Sequence, residues 1–178
     1  MPRFSANLSF LFPEVPFLER FGEAAHAGFR AVEFAFGYDF QVREIVARAQ
    51  EHKLEVVLIN APPGDWEAGD RGLGSLPGRE HEFAASVVNG LRYAKALQCP
   101  RLHVMAGVLP LDASADERTR RMRTFTRNLR HACEEAASQN VTVLIEPINT
   151  RDVPGYRDAT SPTRANSTTT ISFACSTS

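Results

Sequence analysis

The sequence predicts an α/β fold: about five parallel strands alternating with four helices, forming part of an eight-stranded (β/α)8 barrel, followed by a disordered C-terminal tail. Three observations predict it. Short, β-rich apolar runs alternate with runs whose apolar residues recur at helical spacing. No glycine fingerprint of a dinucleotide-binding sheet follows a strand. The nearest candidate, Gly72, Gly74 and Gly78, has the wrong spacing and sits inside a loop. Finally, the composition changes abruptly near Gly155.

The first strand is expected over Arg3 to Leu8. Phe17, Leu18, Phe21, Ala24 and Ala25 then recur at helical spacing, and Gly28 ends that helix. Ala31 to Phe36 reads as the second strand, and Val42, Ile45, Val46 and Ala49 mark the second helix. Leu54 to Asn60 is the third strand, and residues 61–78 form a long loop. Phe83, Val87, Leu91, Ala94 and Leu97 mark the third helix, and Arg101 to Met105 the fourth strand. Ser114 with Glu117 three residues on is a capping box. It opens a helix carried by Met122, Phe125, Leu129, Cys133 and Ala136, before a fifth strand, Val141 to Ile148. Strand alternating with helix implies parallel pairing with right-handed crossovers. An open sheet and a closed barrel both satisfy that rule, and the missing glycine fingerprint favours the barrel.

From Tyr156 to Ser178, eleven of 23 residues are Ser or Thr, with no Leu, Lys, Glu or Gln. Such a segment cannot bury enough surface to offset its ordering entropy. The chain therefore divides into a barrel portion, 1–156, and a tail, 157–178, expected to be disordered. A frameshift accounts for so abrupt a change better than a natural linker does.

Composition excludes several function classes. Apolar residues make up 43% and charged residues 23% of the 178, and the net charge is −1. There is no basic footprint for nucleic acid and no polybasic stretch for an anionic membrane. No apolar run approaches the roughly 18 residues that span a bilayer. The N-terminal patch is interrupted by Pro13 and Glu14 and lacks a small-residue cleavage site, so it is not read as a signal peptide. Three widely spaced cysteines, Cys99, Cys133 and Cys175, favour a reducing cytoplasm over a disulfide framework. No Cys/His spacing resembles a zinc site.

The chemistry-bearing candidates lie at strand ends. Glu146 closes an otherwise apolar strand, at the end that faces the catalytic mouth in a barrel. Its alternative is a solvated or Arg-paired strand tip. Glu33, between apolar neighbours in the second strand, either points into the mouth to hold substrate or serves a structural ion pair. His103 is either a hydrogen-bonded core residue or a substrate contact. Asn7 and Asn60, near the ends of strands one and three, either orient hydroxyl groups or cap loops. The loop 61–78 holds five Gly, three Pro and Trp66. Loops of this length are commonly lids, and the loop is read as a flap over the site. Arg118, Arg120, Arg121, Arg123, Arg127 and Arg130 share a helix flanked by acidic residues, which reads as a solvated face.

These residues lie in a context that resembles the hydroxypyruvate isomerase family of xylose-isomerase-like TIM barrels. The resemblance covers roughly residues 2–156. It rests on RFSANLSFLF, on AGFRAVEF around Glu33, on INAPPGDWEAGDRGLGSLPGREHEF across the loop, and on LRYAKAL, HVMAG and LIEPINTRDVPGY. It implies an aldose–ketose isomerisation, hydroxypyruvate to tartronate semialdehyde or the similar reaction of a 2-oxo-tetronate, through an enediolate. It implies a small hydroxy-oxo acid as substrate and Mg²⁺ or Mn²⁺ as cofactor of the full-length family. Glu146 is then the first of two catalytic glutamates and a metal ligand, and Asn7, Glu33, Asn60 and His103 face the substrate. The remaining ligands come from later strands of the family, which have no match here. The polypeptide is therefore expected to be a truncated or frameshifted form that is inactive and does not bind metal tightly. A related sugar epimerase and a non-catalytic fragment are the alternatives. The endonuclease relatives use zinc clusters rich in His, whereas the five His here are scattered.

Overall fold

The computed structural model describes residues 3–146 and the backbone of 171–173. Its elements run β1 (Ala6–Asn7), α1 (Arg20–His26), β2 (Ala31–Phe34), α2 (Val42–Glu51) and β3 (Glu55–Asn60). They continue with α3 (Glu80–Leu97), β4 (Arg101–His103), α4 (Ala115–Ala137), β5 (Thr142–Ile145) and β6 (Ile171–Phe173). The sheet order is β1-β2-β3-β4-β5-β6. The first five strands pair in parallel and in sequence order, as successive β-α units require. This agrees with the expected partial barrel of about five parallel strands and four helices.

Local chemistry sets the helix ends. The Gln41 and Glu44 side chains exchange capping hydrogen bonds with backbone amides at the start of α2. Ser114 Oγ accepts from Glu117 N at 3.2 Å, closing the predicted cap of α4. Beyond α1, Gly28 adopts φ +89°, the left-handed conformation that a helix stop favours.

The strands are shorter than their apolar runs. β1 keeps two laddered residues because its outer side has no neighbour among the described residues, though Leu8 N still donates to Glu33 O at 2.8 Å. β4 stops at His103 because Met105 O turns aside to accept from Gly74 N in the long loop. β5 ends at Ile145; the expected continuation through 147–148 lies outside the described residues. α1 starts at Arg20, three residues after Phe17, because Pro16 and Phe17 are used in the preceding turn, accepting from Glu19 N and Arg20 N.

One face of the sheet packs on the helices. Val32, Phe34, Ile59, Leu102, Val104, Val143 and Ile145 are all buried in this core with Phe21, Ile45, Phe83, Val87, Leu91 and Phe125. The intervening residues point the other way, because side chains alternate along a strand. That second face carries Asn7, Glu33, Asn60, His103 and Leu144. It is the inward face of the barrel arc, and it is where the polar candidates gather.

Within the tail, Ile171–Phe173 pairs antiparallel with β5. The rest of 157–178, and with it the expectation of disorder there, lies outside the described residues.

Candidate active site at the strand ends

The register across the sheet builds the site. Asn7 stands opposite Glu33, Asn60 opposite His103, and His103 opposite Leu144. A bulge between Val32 and Glu33 sets Glu33 against Leu58 rather than Val57. The extra residue is Val57 on β3: it leaves Val56 and Ile59, three positions apart, both on the helix side and turns Asn60 to the inward face, since a one-residue slip flips the face. Glu146 lies two residues past Leu144 and therefore returns to the inward face. All five sequence-predicted site residues thus share one face, near the carboxyl ends of their strands.

Glu33 is anchored by its neighbours on β1. Ser5 Oγ donates to its Oε2 at 2.8 Å and Asn7 Nδ2 to its Oε1 at 3.2 Å. Among the described residues it makes no ion pair, so its partners are neutral donors that hold the carboxylate without cancelling its charge. Asn7 is fixed in turn: its Oδ1 accepts from Ser9 N at 3.0 Å.

Glu146 is half-buried. Burial pushes its carboxyl above the ordinary range, and the nearby Glu33 carboxylate pushes it further the same way. A carboxyl raised in this manner is suited to accepting and returning a proton. His103 is 5% exposed, and its Nε2 has no hydrogen-bond partner. Burial drives its pKa down to about 4, so the imidazole is neutral at pH 7. Asn60 points its Nδ2 at Met105 Sδ, 3.9 Å away, while its backbone carbonyl accepts from Tyr38 OH.

Sequence reasoning did not single out Ser5, Ser9, Tyr38 or Met105. Ser5 had a legible signal, since it precedes Asn7 by two residues and shares its face. Tyr38 had none: it reaches Asn60 only because β2 and β3 are adjacent.

The loop 61–78 leaves the end of β3 and crosses to β4. Gly72 forms an isolated bridge with Ala106, Gly74 N donates to Met105 O at 3.1 Å, and Ser75 N donates to Ala106 O at 2.7 Å. Asn128 Nδ2 on α4 ties Gly74 O at 2.8 Å. These bonds pin the second half of the loop. The first half carries Trp66 onto Phe36 beyond β2, with ring centroids 4.9 Å apart. The loop therefore covers the ends of three strands as a fastened cover, not as a free flap.

The Arg-rich helix behaves as a solvated face. Glu117 binds both Arg120 and Arg121, the latter at 2.9 Å, and Arg127 reaches Glu80 at 2.6 Å. A cavity of about 1570 Å³ opens at the other end of the strands, bordered by Arg3, Arg30, Glu55, Lys95 and Arg101. It borders the strand starts and includes Ser5, which hydrogen-bonds Glu33.

The donor set of the described residues falls short of a divalent-cation site. Among the described residues no group of three or more His, Cys, Asp or Glu could hold a metal ion. Glu146 and Glu33 supply two carboxylates, and Glu33 is already committed to Ser5 and Asn7. The described residues do not make a metal site by themselves.

The match to family models decides the lineage: residues 21–170 match the xylose isomerase-like TIM barrel. The chain belongs to that family. Among curated members, the 2-oxo-tetronate isomerase of Cupriavidus necator is 53% identical over 156 residues, covering 88% of this chain and 59% of that protein. The hydroxypyruvate isomerase of Escherichia coli is 44% identical over the same share of each. The chain thus spans about three-fifths of the length of these relatives. A crystal structure of an AP endonuclease, family 2, from Brucella melitensis superposes with TM-score 0.83 at 50% identity, covering 88% of this chain and 59% of that one. The 3-keto-D-glucoside 4-epimerase YcjR of Escherichia coli superposes with TM-score 0.68 at 20% identity, a likeness of fold alone.

Proposed function

We propose that the chain carries the first catalytic half of an aldose–ketose isomerase acting on a small hydroxy-oxo acid. The observation that carries this reading is Glu146, a carboxyl raised by burial, on the same barrel face as Asn7, Glu33, Asn60 and His103. Relatives named 2-oxo-tetronate isomerase and hydroxypyruvate isomerase support the reaction class.

In this reading Glu146 removes a proton from C3 of hydroxypyruvate. The C3–H electrons form the C2–C3 double bond of the enediolate as the C2 carbonyl pair moves onto O2; the O3 hydroxyl proton passes to O2, and the proton returned to C2 yields tartronate semialdehyde. Burial matches the acidity of Glu146 to this exchange. Neutral His103, with a free Nε2, holds a substrate oxygen without adding charge. Asn7 fixes Glu33, whose negative charge keeps Glu146 ready to take up a proton. The carbon skeleton of a 2-oxo-tetronate offers the same reacting unit and is the second substrate this reading admits.

Mg²⁺ or Mn²⁺ belongs to the proposal for full-length relatives, where Glu146 would be one ligand. No step here runs through it, because the described donors fall short of a metal site. For the same reason we propose that this polypeptide by itself turns over far more slowly than its full-length relatives. No helix among the described residues is long and apolar enough to cross a membrane. A cytoplasmic setting is part of the proposal, resting on the three widely spaced cysteines.

The test is proton NMR of hydroxypyruvate in D₂O with the whole chain, with and without Mn²⁺ or Mg²⁺. Expected is slow C3–H exchange that Glu146→Gln abolishes. Exchange indifferent to that substitution would remove the reading. Conversion at the rate of a full-length relative would remove the claim of reduced activity. Parallel incubations with a ketohexose test the epimerase alternative.

A further inference from the structure

The fastened loop presents one cation that the proton-transfer reading leaves unused. Arg71 lies with its guanidinium carbon 3.8 Å from the centre of the Trp66 ring. Its Nη1 donates to Trp66 O at 3.0 Å and to Asp70 O at 2.7 Å. A planar cation held by a ring and two carbonyls has lost most of its rotational freedom before any ligand arrives. Those contacts orient it but leave its charge in place.

The adjacent Asp70 forms no ion pair with it either. Asp70 is engaged by Arg79 at 2.7 Å and by Asp65 N at 2.7 Å. Arg79 further binds Glu82, at 2.7 Å, and Asp65 Oδ1 accepts from Ala68 N, so Asp70 and Glu82 are shared with Arg79 and Asp65 is turned to the backbone. Among the described residues Arg71 makes no ion pair. Asp70 feels the Arg71 charge through space without pairing with it, and a held guanidinium with no ion-pair partner among the described residues is suited to bidentate contact with a carboxylate.

Its place in the fold puts it beside the candidate site. The next residue, Gly72, bridges Ala106, three residues past His103. An added Cβ on Gly72 would lie 2.5 Å from Met105 Cβ, and Met105 Sδ receives the Asn60 amide. Trp66, on which Arg71 stacks, packs against Phe36 beyond the end of β2. The loop therefore carries Arg71 over the strand ends that bear Glu33, Asn60 and His103.

We infer that Arg71, stacked on Trp66 at the rim of the strand ends, binds the carboxylate of the substrate. This rests on the isomerase reading for the substrate's class and deepens it: the site selects small 2-oxo or 2-hydroxy acids over uncharged sugars of the same length. Carboxylate capture by Arg71 would leave the carbons next to it over the inward face of the sheet.

The experiment uses the whole chain and its single tryptophan, Trp66, as the reporter. Fluorescence is titrated with D-glycerate, with tartronate and, as the uncharged match, with glycerol, at constant ionic strength set by chloride. Expected is a saturable change with both acids and none with glycerol. Arg71→Gln weakens binding at least tenfold, and Arg71→Lys, which keeps the charge but loses the fork, falls between. Arg92→Gln removes a guanidinium that lies 5.2 Å from the Tyr93 ring on the exposed side of α3, and leaves binding unchanged. Affinity for the acids within twofold of wild type in Arg71→Gln, or equal binding of glycerol, would overturn the inference. Circular dichroism of each variant guards against misfolding, and Arg71→Lys keeps the test decisive should Arg71→Gln not fold. Arg71-dependent binding without Glu146-dependent C3–H exchange keeps this inference and removes the isomerase reading. Glu146-dependent exchange with unchanged affinity in Arg71→Gln does the reverse.

Discussion

Glu33 and Glu146 are like charges set on one face of the barrel arc, three strands apart, and each is held there for a different reason. Ser5 and Asn7 hydrogen-bond Glu33, whereas Glu146 is raised by burial first and by Glu33 second. Replacing Glu33 by Gln should therefore lower the Glu146 pKa part of the way toward 4.5, its ordinary value, without reaching it. The sign for stability follows from the raised folded value. Glu146 favours the fold below its unfolded pKa, and that contribution is lost as pH rises through the folded pKa. Carbon-13 NMR titration of the Glu146 carboxyl checks both points. A pKa unmoved by Glu33→Gln would show that the two carboxyls do not interact.

His103 should make the fold sensitive to mild acid. Its pKa falls from 6.5 to about 4 on folding, so the unfolded chain binds the extra proton. Stability from this group is intact above about pH 6.5 and declines as pH falls toward 4, by up to about 3 kcal/mol. His103→Leu removes the proton-binding site and an orphaned buried nitrogen. Urea unfolding at several pH values should show a flatter profile for the variant across that window. Parallel profiles would sink the assignment.

Gly72 and Gly69 separate strain from collision. Both have left-handed backbone, φ +115° and +96°. A Cβ at Gly72 would meet Met105 Cβ and carbonyl at 2.5 Å, while one at Gly69 would meet nothing within 4 Å. Gly69→Ala should cost about 1 kcal/mol, and Gly72→Ala on the order of 2–4 kcal/mol. Gly72→Ala should also loosen the loop from β4, read as faster amide exchange at Gly74 and Ser75. Equal costs at the two positions would contradict the close approach of loop and strand.

β6 covers an edge. Its register sets Phe173 opposite Val143 and Ile171 opposite Ile145, both β5 residues of the apolar core. An unpaired β5 would offer a template for strand addition by another chain. Ser172→Pro removes an amide hydrogen from the middle of this strand and should promote concentration-dependent association on size-exclusion chromatography. Elution identical to wild type over a wide concentration range would show that β6 does not protect the edge.

The succession of elements was legible in the sequence because each reports itself locally. Apolar runs and helical periodicity marked β2, α2, β3 and α3 to within a few residues, and the Ser114–Glu117 pair marked the start of α4. Glu146 was legible for a similar reason: a carboxylate ending an apolar strand stands out against its neighbours. The grouping with Asn7, Glu33, Asn60 and His103 was legible only through the resemblance to a barrel family.

What only the tertiary structure decided depends on register and on contacts between distant segments. A bulge at Val57, opposite the Val32/Glu33 step, determines which face Asn60 takes, and no local pattern encodes it, because a shift of one residue reverses every side chain that follows. The fastening of the loop to β4 and the contacts of Trp66 with Phe36 and with Arg71 join segments that propensity treats separately. The antiparallel sense of β6 likewise arises from pairing across 26 or more residues, where local chemistry carries no directional signal. Sequence alone determined the order and kind of the elements, since these follow from short-range sterics and periodic burial. Tertiary structure determined the spatial partners of each polar group, since those depend on how the sheet is registered and closed.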